Sequence, residues 1–455
     1  MKRLLTCSTV CLLAVVLSGC GASSPGDAPI RIGAVFPISG NAASLAGAEL
    51  NGVRIAADQV NADGGIGGRK IELVVRDLPS RADAAKVMED LRASGIRLVI
   101  GAYSSDLSIA ASEAADKAGL LYWEAGAVAD RLTGRGLPLV FRVGASGSNL
   151  GANSSNFAAT ELASRLGKTV SQLRVGIAVA DDDYARSVAD AAEATARERG
   201  MPVVVRRSYN LSVPDWPSVM ADLEAARPDV LILDSHIPDG IAFRQAMLAA
   251  GLKVGALIGS TMAECDPDFA GELGPDAIGV FASDRPTAGF QSSALAPTAA
   301  AAYARFAADW AAASKAGEAE GNESQGDGEY GGRDYGNAEY PIHGPAEDPT
   351  AEQDEEALAG YSAGWALFRN VLPAAAASGG ALDAAGVAEA ARAVDLPEGS
   401  LPNGAGLRFS NDPSRLGQNE RAAAVIWQWQ AVRTYAFVWP PTYATGAIDF
   451  VPLTR

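Results

Sequence analysis

The stretch IRIGAVFPISGNAAS (residues 30–44), together with VNADGGIGGRKI at residues 60–71, predicts the architecture of this chain. Its first seven residues, Ile30–Phe36, are mostly apolar and rich in β-branched residues, which predicts a short strand. Ala48–Val60 carries apolar residues at helical spacing, and the Asn-Ala-Asp-Gly-Gly sequence that follows predicts the end of a helix. Ile71–Val75 predicts the next strand. A strand, a helix and a second strand in this order indicate a βαβ unit and therefore a parallel sheet.

The same alternation extends over most of the chain. Strands are predicted at Ile96–Ile100 and Leu120–Trp123, separated by a helix at Ser105–Ala118. A second series of helices and strands is predicted at Asn149–Leu166, Arg174–Val179, Ala185–Arg199, Val203–Arg206, Val219–Ala226, Val230–Leu233, Ile241–Ala250 and Ala256–Ile258, with tail strands at Ala423–Gln430 and Val432–Trp439. Two such series predict an α/β fold of two doubly wound, Rossmann-like lobes. Because ligands bind beyond the carboxyl ends of the strands in open α/β sheets, we expect a ligand cleft between the lobes.

The first twenty residues indicate processing rather than folded structure. After a positively charged start, the apolar core Val10–Leu17 is too short to span a bilayer, which needs about 20 residues. Residues 1–19 are therefore interpreted as a signal peptide. Leu17-Ser18-Gly19-Cys20 resembles the lipobox of bacterial lipoproteins, which implies a lipid on the Cys20 thiol, a tether over residues 20–28 and anchoring to a bacterial membrane. The alternative is an ordinary secretory cleavage site that happens to precede a cysteine.

The charge of the chain excludes one class of partner. The formal net charge is −17, and removal of the signal peptide with its two basic residues gives −19. Residues 316–356 contain thirteen Asp or Glu residues and one Arg, so this segment alone carries −12. No basic face for nucleic acid is expected. Because the segment has almost no aliphatic residues, it is interpreted as a disordered acidic insertion. The alternative is a loop that collects metal ions or docks a partner.

Several motifs, taken in order, resemble those of a known family. Besides residues 30–44 and 60–71, the chain has LVIG followed by Ser-Ser within residues 98–105, RLTGRG with VFRV within residues 131–143, and FRQA before Gly-Leu within residues 243–252. This set resembles the branched-chain amino acid (leucine, isoleucine and valine) binding family, whose members have the type I periplasmic binding fold. The resemblance runs from about residue 30 to residue 279 and continues more weakly to the C-terminus.

The resemblance implies how the chain is divided and what it works with. It implies a monomer that closes its two lobes around a small-molecule ligand and delivers the ligand to an ABC permease complex. Three crossovers between the lobes are expected, near Ala145, Asp284 and Asp412. The N-terminal lobe would then comprise residues 29–145 and 284–412, and the C-terminal lobe residues 146–283 and 413–455.

Ser105 is the leading candidate for ligand contact. It follows a predicted strand and opens a predicted helix, so its hydroxyl and the nearby backbone N–H groups can receive a carboxylate or carbonyl oxygen. The resemblance assigns a Ser at this position to the ligand carboxylate; the alternative is a plain N-cap, worth about 1 kcal/mol. By the same resemblance, the Gly126 carbonyl meets a ligand ammonium and Tyr184 lines the pocket from the second lobe, unless Tyr184 is a surface residue at a helix start. Ser104 precedes Ser105 and is included in the candidate site.

Two positions depart from the amino-acid-binding pattern. Val128 stands where amino-acid binders carry a hydroxyl, and Thr261 stands where they carry the carboxylate that pairs with the ammonium. Loss of a charge partner in a desolvated site costs several kcal/mol, so a standard zwitterion is expected to bind poorly unless another anion substitutes. Glu124, at a predicted strand end, is the candidate substitute. It can equally form a structural ion pair with Arg131 or Arg142.

Aromatic side chains complete the candidate site. Tyr103, Trp123 and His236 are placed around the expected cleft, although Trp123 lies inside a predicted strand and can equally be a core residue. His236 aligns with a family aromatic only across a one-residue gap. These residues favour an amino-acid-like compound, an amide, or an aromatic or organic acid over a plain branched-chain amino acid.

The remaining features argue against other function classes. The chain has no Gly-x-Ser-x-Gly elbow and no Walker loop, and it has only two His residues, so we expect no enzyme activity, no cofactor and no metal site. Cys265 is the one cysteine outside the signal peptide and lipidation site, so no intrachain disulfide is expected. The alternative function is a ligand-sensing binding subunit that works with a signalling partner.

Overall fold

The computed structural model describes residues 28–40, 42–287, 289–323, 355–379 and 382–453. The predicted signal peptide, Cys20 and the tether up to residue 27 lie outside the described residues, as does the part of the acidic segment from residue 324 to residue 354. None of the helices in the described part of the chain combines the length and hydropathy needed to cross a membrane.

The strands form two sheets. The first sheet has the order β2-β1-β3-β4-β5 and is parallel throughout, with strands β1 Ile30–Phe36, β2 Ile71–Asp77, β3 Leu98–Gly101, β4 Leu121–Glu124 and β5 Val140–Arg142. The second sheet has the order β12-β11-β10-β9-β8-β6-β7, with strands β6 Val175–Ala180, β7 Val203–Tyr209, β8 Val230–Asp234, β9 Ala256–Ser260, β10 Phe281–Asp284, β11 Val425–Ala431 and β12 Thr434–Trp439.

Helices cover these sheets. They are α1 Ala43–Ala62, α2 Ala84–Ala93, α3 Ser105–Lys117, α4 Gly147–Phe157, α5 Ala163–Arg165, α6 Asp183–Glu198, α7 Trp216–Ala226, α8 Ile237–Ala250, α9 Pro267–Leu273, α10 Pro297–Glu323, α11 Glu355–Trp365, α12 Leu372–Ala377 and α13 Ala384–Ala393. The prediction of a two-lobed α/β fold is confirmed. One feature differs from a purely parallel arrangement: β11 pairs antiparallel with β10, and β12 pairs antiparallel with β11. The tail of the chain therefore extends the second sheet as a hairpin.

The third passage between the lobes lies later in the chain than predicted. The predicted position is near Asp412, but Gln418 and Asn419 still bind the first lobe. Arg142 Nε donates to Gln418 Oε1 at 2.5 Å, and the Asn419 side-chain amide donates to the buried carbonyl of Val143 at 2.9 Å. The chain therefore leaves the first lobe only after Asn419, because these buried polar groups need one another as partners.

The acidic segment is also shorter than predicted at both ends. Composition predicts a disordered insertion over residues 316–356, but α10 continues to Glu323 and α11 begins at Glu355. Glu355 and Glu356 bind the guanidinium of Arg285. This cation gives the two carboxylates a partner inside the fold, which composition alone does not indicate.

Close packing between α1 and α11 depends on two glycines. A Cβ atom on Gly52 would lie 2.0 Å from the Ala357 carbonyl oxygen, and one on Gly360 would lie 2.0 Å from the Glu49 carbonyl oxygen. The two backbones therefore meet without side chains between them. Since α11 begins with Glu355, this contact also sets the position of the carboxylates that bind Arg285.

We predict that Gly52→Ala lowers the free energy of unfolding by about 1–3 kcal/mol, the usual cost of overpacking a close contact. Gly47→Ala is the matched control in the same helix, because no atom lies within 4 Å of its added Cβ. The control should be neutral or stabilising by about 0.5–1 kcal/mol, since alanine favours helix more than glycine does. Urea titrations followed by circular dichroism measure both, and equal stability of the two variants would contradict the close contact.

Candidate ligand-binding cleft

A cavity of about 310 Å³ lies between the two lobes, where the carboxyl ends of strands from both sheets meet. Except for Glu356 at the start of α11, its lining residues follow strand ends: β3 and β4 in the first lobe, and β6, β7, β8, β9 and β10 in the second. The lining residues are Tyr103, Ser104, Ser105, Asp106, Gly126, Ala127, Val128, Asp182, Asp183, Tyr184, Leu211, His236, Thr261, Met262, Arg285 and Glu356.

The structure brings most of the predicted site residues together in this cavity. Eight of them line it, namely Tyr103, Ser104, Ser105, Gly126, Val128, Tyr184, His236 and Thr261. Trp123 and Glu124 do not. Both belong to β4, which ends one residue later than predicted, so their side chains are buried within the first lobe.

Trp123 is a core residue rather than a cleft residue. Its indole N–H donates to the Ala363 carbonyl at 3.0 Å, and its ring packs edge-on against Phe409 with centroids 5.2 Å apart. The indole polar group and the ring face are therefore both used inside the first lobe. Of the two interpretations given by the sequence, the core one holds.

Glu124 supports the cleft wall from behind. Its Oε1 accepts the backbone N–H groups of Gly126 at 3.0 Å and Ala127 at 2.8 Å, and its Oε2 accepts the Tyr122 hydroxyl at 3.1 Å. Burial raises the pKa of Glu124 to about 7, although these hydrogen bonds oppose the shift. The carboxyl group fixes the loop after β4 and does not face the cavity.

Neither role predicted for Glu124 matches these contacts. It is not an anion that faces the ligand, and its hydrogen bonds go to the following loop and to Tyr122 rather than to Arg131 or Arg142. Arg131 pairs instead with Asp183 at 2.9 Å, and Arg142 Nη1 donates to the Ala129 carbonyl at 2.7 Å. The sequence alone cannot distinguish a carboxylate that accepts nearby backbone N–H groups from one that forms an ion pair, because both follow a strand end in the same way.

Ser105 lies at the N-terminus of α3 and faces the cleft. The N-cap residue is Ser104, whose side chain makes no capping hydrogen bond, so the prediction of Ser105 as a plain N-cap is wrong. The Ser105 Oγ accepts the Ala129 N–H at 3.2 Å. This bond joins the β3 and β4 walls of the cleft and leaves the Ser105 O–H to donate elsewhere.

Tyr184 and His236 form an aromatic wall in the second lobe. The rings are 5.1 Å apart in an edge-to-face arrangement, and the Tyr184 hydroxyl donates to the Ser260 carbonyl. His236 Nε2 lies 2.9 Å from Asp182 Oδ2. Burial opposes a charge on His236, but the hydrogen bond and charge of Asp182 outweigh it and raise the His236 pKa. Tyr184 is therefore part of the cavity wall and not a surface residue at a helix start.

Thr261 and Met262 lie in a strained turn of the second lobe. Both have positive φ angles, 38° and 60°, in a region that residues other than glycine rarely adopt. The Tyr103 hydroxyl of the first lobe donates to the Met262 Sδ at 3.3 Å. The two lobes thus touch across the cleft at a point where the backbone is strained, as is common at ligand clamps.

Arg285 is the main cleft residue that the sequence analysis missed. Its side chain is buried and makes three short hydrogen bonds: Nη1 donates to the Gly126 carbonyl at 2.6 Å, Nε to Glu355 at 2.8 Å and Nη2 to Glu356 at 2.9 Å. It directly follows β10, a strand that was not predicted. A search for charged residues at every passage between lobes would have found it.

Comparisons with known proteins identify relatives over most of the chain. A family model described as periplasmic binding protein matches residues 29–334. The "Leu/Ile/Val-binding protein homolog 8" of Brucella abortus (strain 2308) is 29% identical over 425 residues, which cover 93% of this chain and 93% of that protein.

Solved structures show the same fold with different ligands. A branched-chain amino acid transporter substrate binding protein from Streptococcus pneumoniae, in complex with isoleucine, has a TM-score of 0.64 at 19% identity and covers 90% of this chain and 100% of its own. A solute binding protein of an ABC transporter from R. palustris, in complex with benzoate, has a TM-score of 0.62 at 17% identity and covers 94% and 100%. At these identities the likeness concerns the fold alone.

The buried Glu124 predicts a pH dependence of stability. Since its pKa is raised on folding from 4.5 to about 7, the folded state loses stability as the pH rises through this window. In Glu124→Gln this loss is absent, because the amide does not titrate and its oxygen can still accept the Gly126 and Ala127 N–H groups. From pH 5 to pH 8, the free energy of unfolding of the wild-type chain should therefore fall relative to that of the variant by up to about 3 kcal/mol.

Urea titrations at several pH values measure this difference. Glu72→Gln, an exposed substitution in β2, is the control and should follow the wild-type profile. Parallel pH profiles for wild type and Glu124→Gln would show that Glu124 is not held in a neutral state by burial.

Proposed function

The chain belongs to the periplasmic binding protein family, and we propose that it captures a small polar organic ligand between its lobes and delivers it to an ABC importer. The family is extracytoplasmic and consists of solute-binding proteins. The ligand is an amino-acid-like compound, an amide, or an aromatic or organic acid. The observation that carries this proposal is the cavity itself, since its walls come from both lobes and a bound molecule would hold the lobes together.

The contacts across the cleft support closure on the ligand. Besides the contact between Tyr103 and Met262, Arg131 of the first lobe pairs with Asp183 of the second, and the Asp130 N–H donates to Ser187 Oγ at 3.0 Å. A ligand that contacts both lobes would add to these few contacts and shift the population towards the closed state. Hinge closure of this kind is a recognised motion of periplasmic binding proteins.

A lipid at Cys20 would keep the protein beside its permease. The support for this anchor is the Leu17-Ser18-Gly19-Cys20 sequence and the polar tether that follows it. Because a binding protein held at the membrane searches a small volume, anchoring raises its effective concentration at the permease.

Binding is tested first with a thermal-shift panel on residues 21–455, after unfolding and refolding to remove any carried ligand. A ligand at 100 times its dissociation constant adds about 2.7 kcal/mol of stability, which raises the melting temperature by several degrees. The panel should contain amino acids, amides, aromatic acids and small aliphatic acids. A correctly refolded protein that no compound stabilises would contradict the proposed function.

Ser105→Ala should weaken binding of the compound that gives the largest shift by about tenfold. The variant removes one hydroxyl donor in a desolvated site, which is worth about 1–1.5 kcal/mol. Ser94→Ala is the matched control: Ser94 is exposed and its Oγ donates only to the Asp90 carbonyl. Isothermal titration calorimetry should show unchanged affinity for the control, and equal affinities for both variants would exclude Ser105 from the site.

Cys20→Ala should release the protein from the membrane. Expressed in a bacterium that processes lipoproteins, the wild-type chain should partition into the detergent phase of a Triton X-114 extract, whereas the variant should be found in the aqueous phase. Partition of both into the aqueous phase would favour the ordinary secretory cleavage site.

A further inference from the structure

Two adjacent segments of the cleft wall, the start of α3 and the loop after β4, offer backbone N–H groups. The first helical hydrogen bond of α3 runs from the Ser108 N–H to the Ser104 carbonyl at 2.9 Å, so the N–H groups of residues 105–107 have no acceptor within the helix. The Ser104 side chain does not cap them. In the adjacent wall, the Val128 N–H also makes no hydrogen bond to the described residues. Together with the Ser105 O–H, these are donors that an anionic oxygen of a ligand can use.

The Gly126 carbonyl and the carboxylates that line the cleft each have a basic side chain as a partner. The Gly126 carbonyl, which the sequence analysis assigned to a ligand ammonium, accepts Arg285 Nη1 at 2.6 Å. The acidic residues that line the cavity are each paired in the same way: Glu356 with Arg285, Asp182 with His236, Asp183 with Arg131, and Asp106 with Arg81.

An ammonium group on the ligand would therefore meet a like charge. To bind the Gly126 carbonyl it would have to lie next to the Arg285 guanidinium, which already contacts that oxygen. Two cations at such a distance repel each other strongly where water is excluded. Since Arg285 is itself tied to Glu355 and Glu356, it cannot withdraw without leaving two carboxylates without their cation.

The rest of the cavity suits an apolar body. Val128, Leu211 and Met262 line it with aliphatic side chains, and Tyr103 and Tyr184 line it with rings whose hydroxyl groups are already hydrogen-bonded to Met262 and to the Ser260 carbonyl. Polar groups along the body of a ligand would find few free partners on these side chains.

We infer that the ligand is a small monocarboxylate with an alkyl or aromatic body and no α-ammonium group. Its carboxylate binds the N-terminus of α3 and the Ser105 hydroxyl, and its body fills the space towards Tyr184 and Leu211. Arg285 is the specificity-determining residue, because it occupies the carbonyl that an ammonium group would need. This inference rests on the proposed function, since it requires that the cleft binds a small molecule.

The test compares ligands that differ in a single group. The stripped wild-type chain is titrated by calorimetry with 4-methylpentanoate, leucine and 4-methylpentanamide, and with 3-phenylpropanoate and phenylalanine. In each pair the acid without the amino group should bind at least tenfold more tightly than the amino acid. The amide should also bind at least tenfold more weakly than 4-methylpentanoate, because it lacks the negative charge that the α3 N-terminus receives.

Arg285→Gln adds a second arm to the test. The variant removes the guanidinium charge, so the ratio of the 4-methylpentanoate affinity to the leucine affinity should fall at least threefold. Arg415→Gln, an exposed arginine paired with Glu420 away from the cleft, is the control and should keep the wild-type ratio. If Arg285→Gln does not fold, the paired ligands on the wild-type chain decide the question by themselves.

The outcomes separate this inference from the proposed function. Tighter binding of leucine than of 4-methylpentanoate, or equal binding of the amide and the acid, overturns the inference while the chain remains a solute-binding protein. The inference is also overturned if neither acid binds while another class of compound in the thermal-shift panel does. Only a panel in which no compound binds contradicts the proposed function as well.

Discussion

The guanidinium of Arg285 is the contact on which the cleft depends. It is buried, at 4% exposure, at the point where the chain passes from the second lobe to the first. A charge withdrawn from water needs partners in good geometry, and this one has the Gly126 carbonyl, Glu355 and Glu356. It therefore ties together the end of β10, the loop after β4 and the start of α11. Because α11 also packs against α1 through Gly52 and Gly360, the position of Arg285 in the cleft depends on the helix packing of the first lobe.

A second set of buried polar groups holds the loop after β4, which carries the unpaired Val128 N–H. Glu124 accepts two N–H groups of this loop from below, and Arg142 donates to the Ala129 carbonyl. Burial lowers the pKa of Arg142 to about 10. Groups of this kind contribute little net stability but leave the loop few alternative conformations. Donors that are fixed in this way meet an anion without reorganising, which reduces the entropy cost of binding.

The two-lobed α/β fold could be predicted from the sequence because the alternation of short apolar strands and helices is repeated almost without interruption. The sequence also placed eight of ten candidate residues at the cleft, since residues that follow parallel strands must meet at one edge. The prediction of site residues failed where the spacing of apolar residues does not show which way a side chain points or what it pairs with. Strand β4 is buried on both faces, so the alternation of side chains could not show that Trp123 and Glu124 point inward. Arg285 was not predicted as a site residue because its partners Glu355 and Glu356 lie 70 and 71 residues further along the chain, inside a segment whose composition predicts disorder.

The pairing of α1 with α11 also bears on how the chain folds. Gln59 and Tyr361 are joined by a hydrogen bond of 2.7 Å although they are 302 residues apart in sequence. One face of α1 packs on β1 and β2 as soon as these strands are synthesised, but the face toward α11 stays uncovered until the chain beyond residue 355 is available. Contacts of such long sequence separation slow folding, because the loop between them must close first. The sheet of the first lobe lies within residues 30–142 and can form early, but the helix layer that covers it is completed only when α11 arrives, so the apolar face of α1 is exposed to non-native contacts while the second lobe is being made.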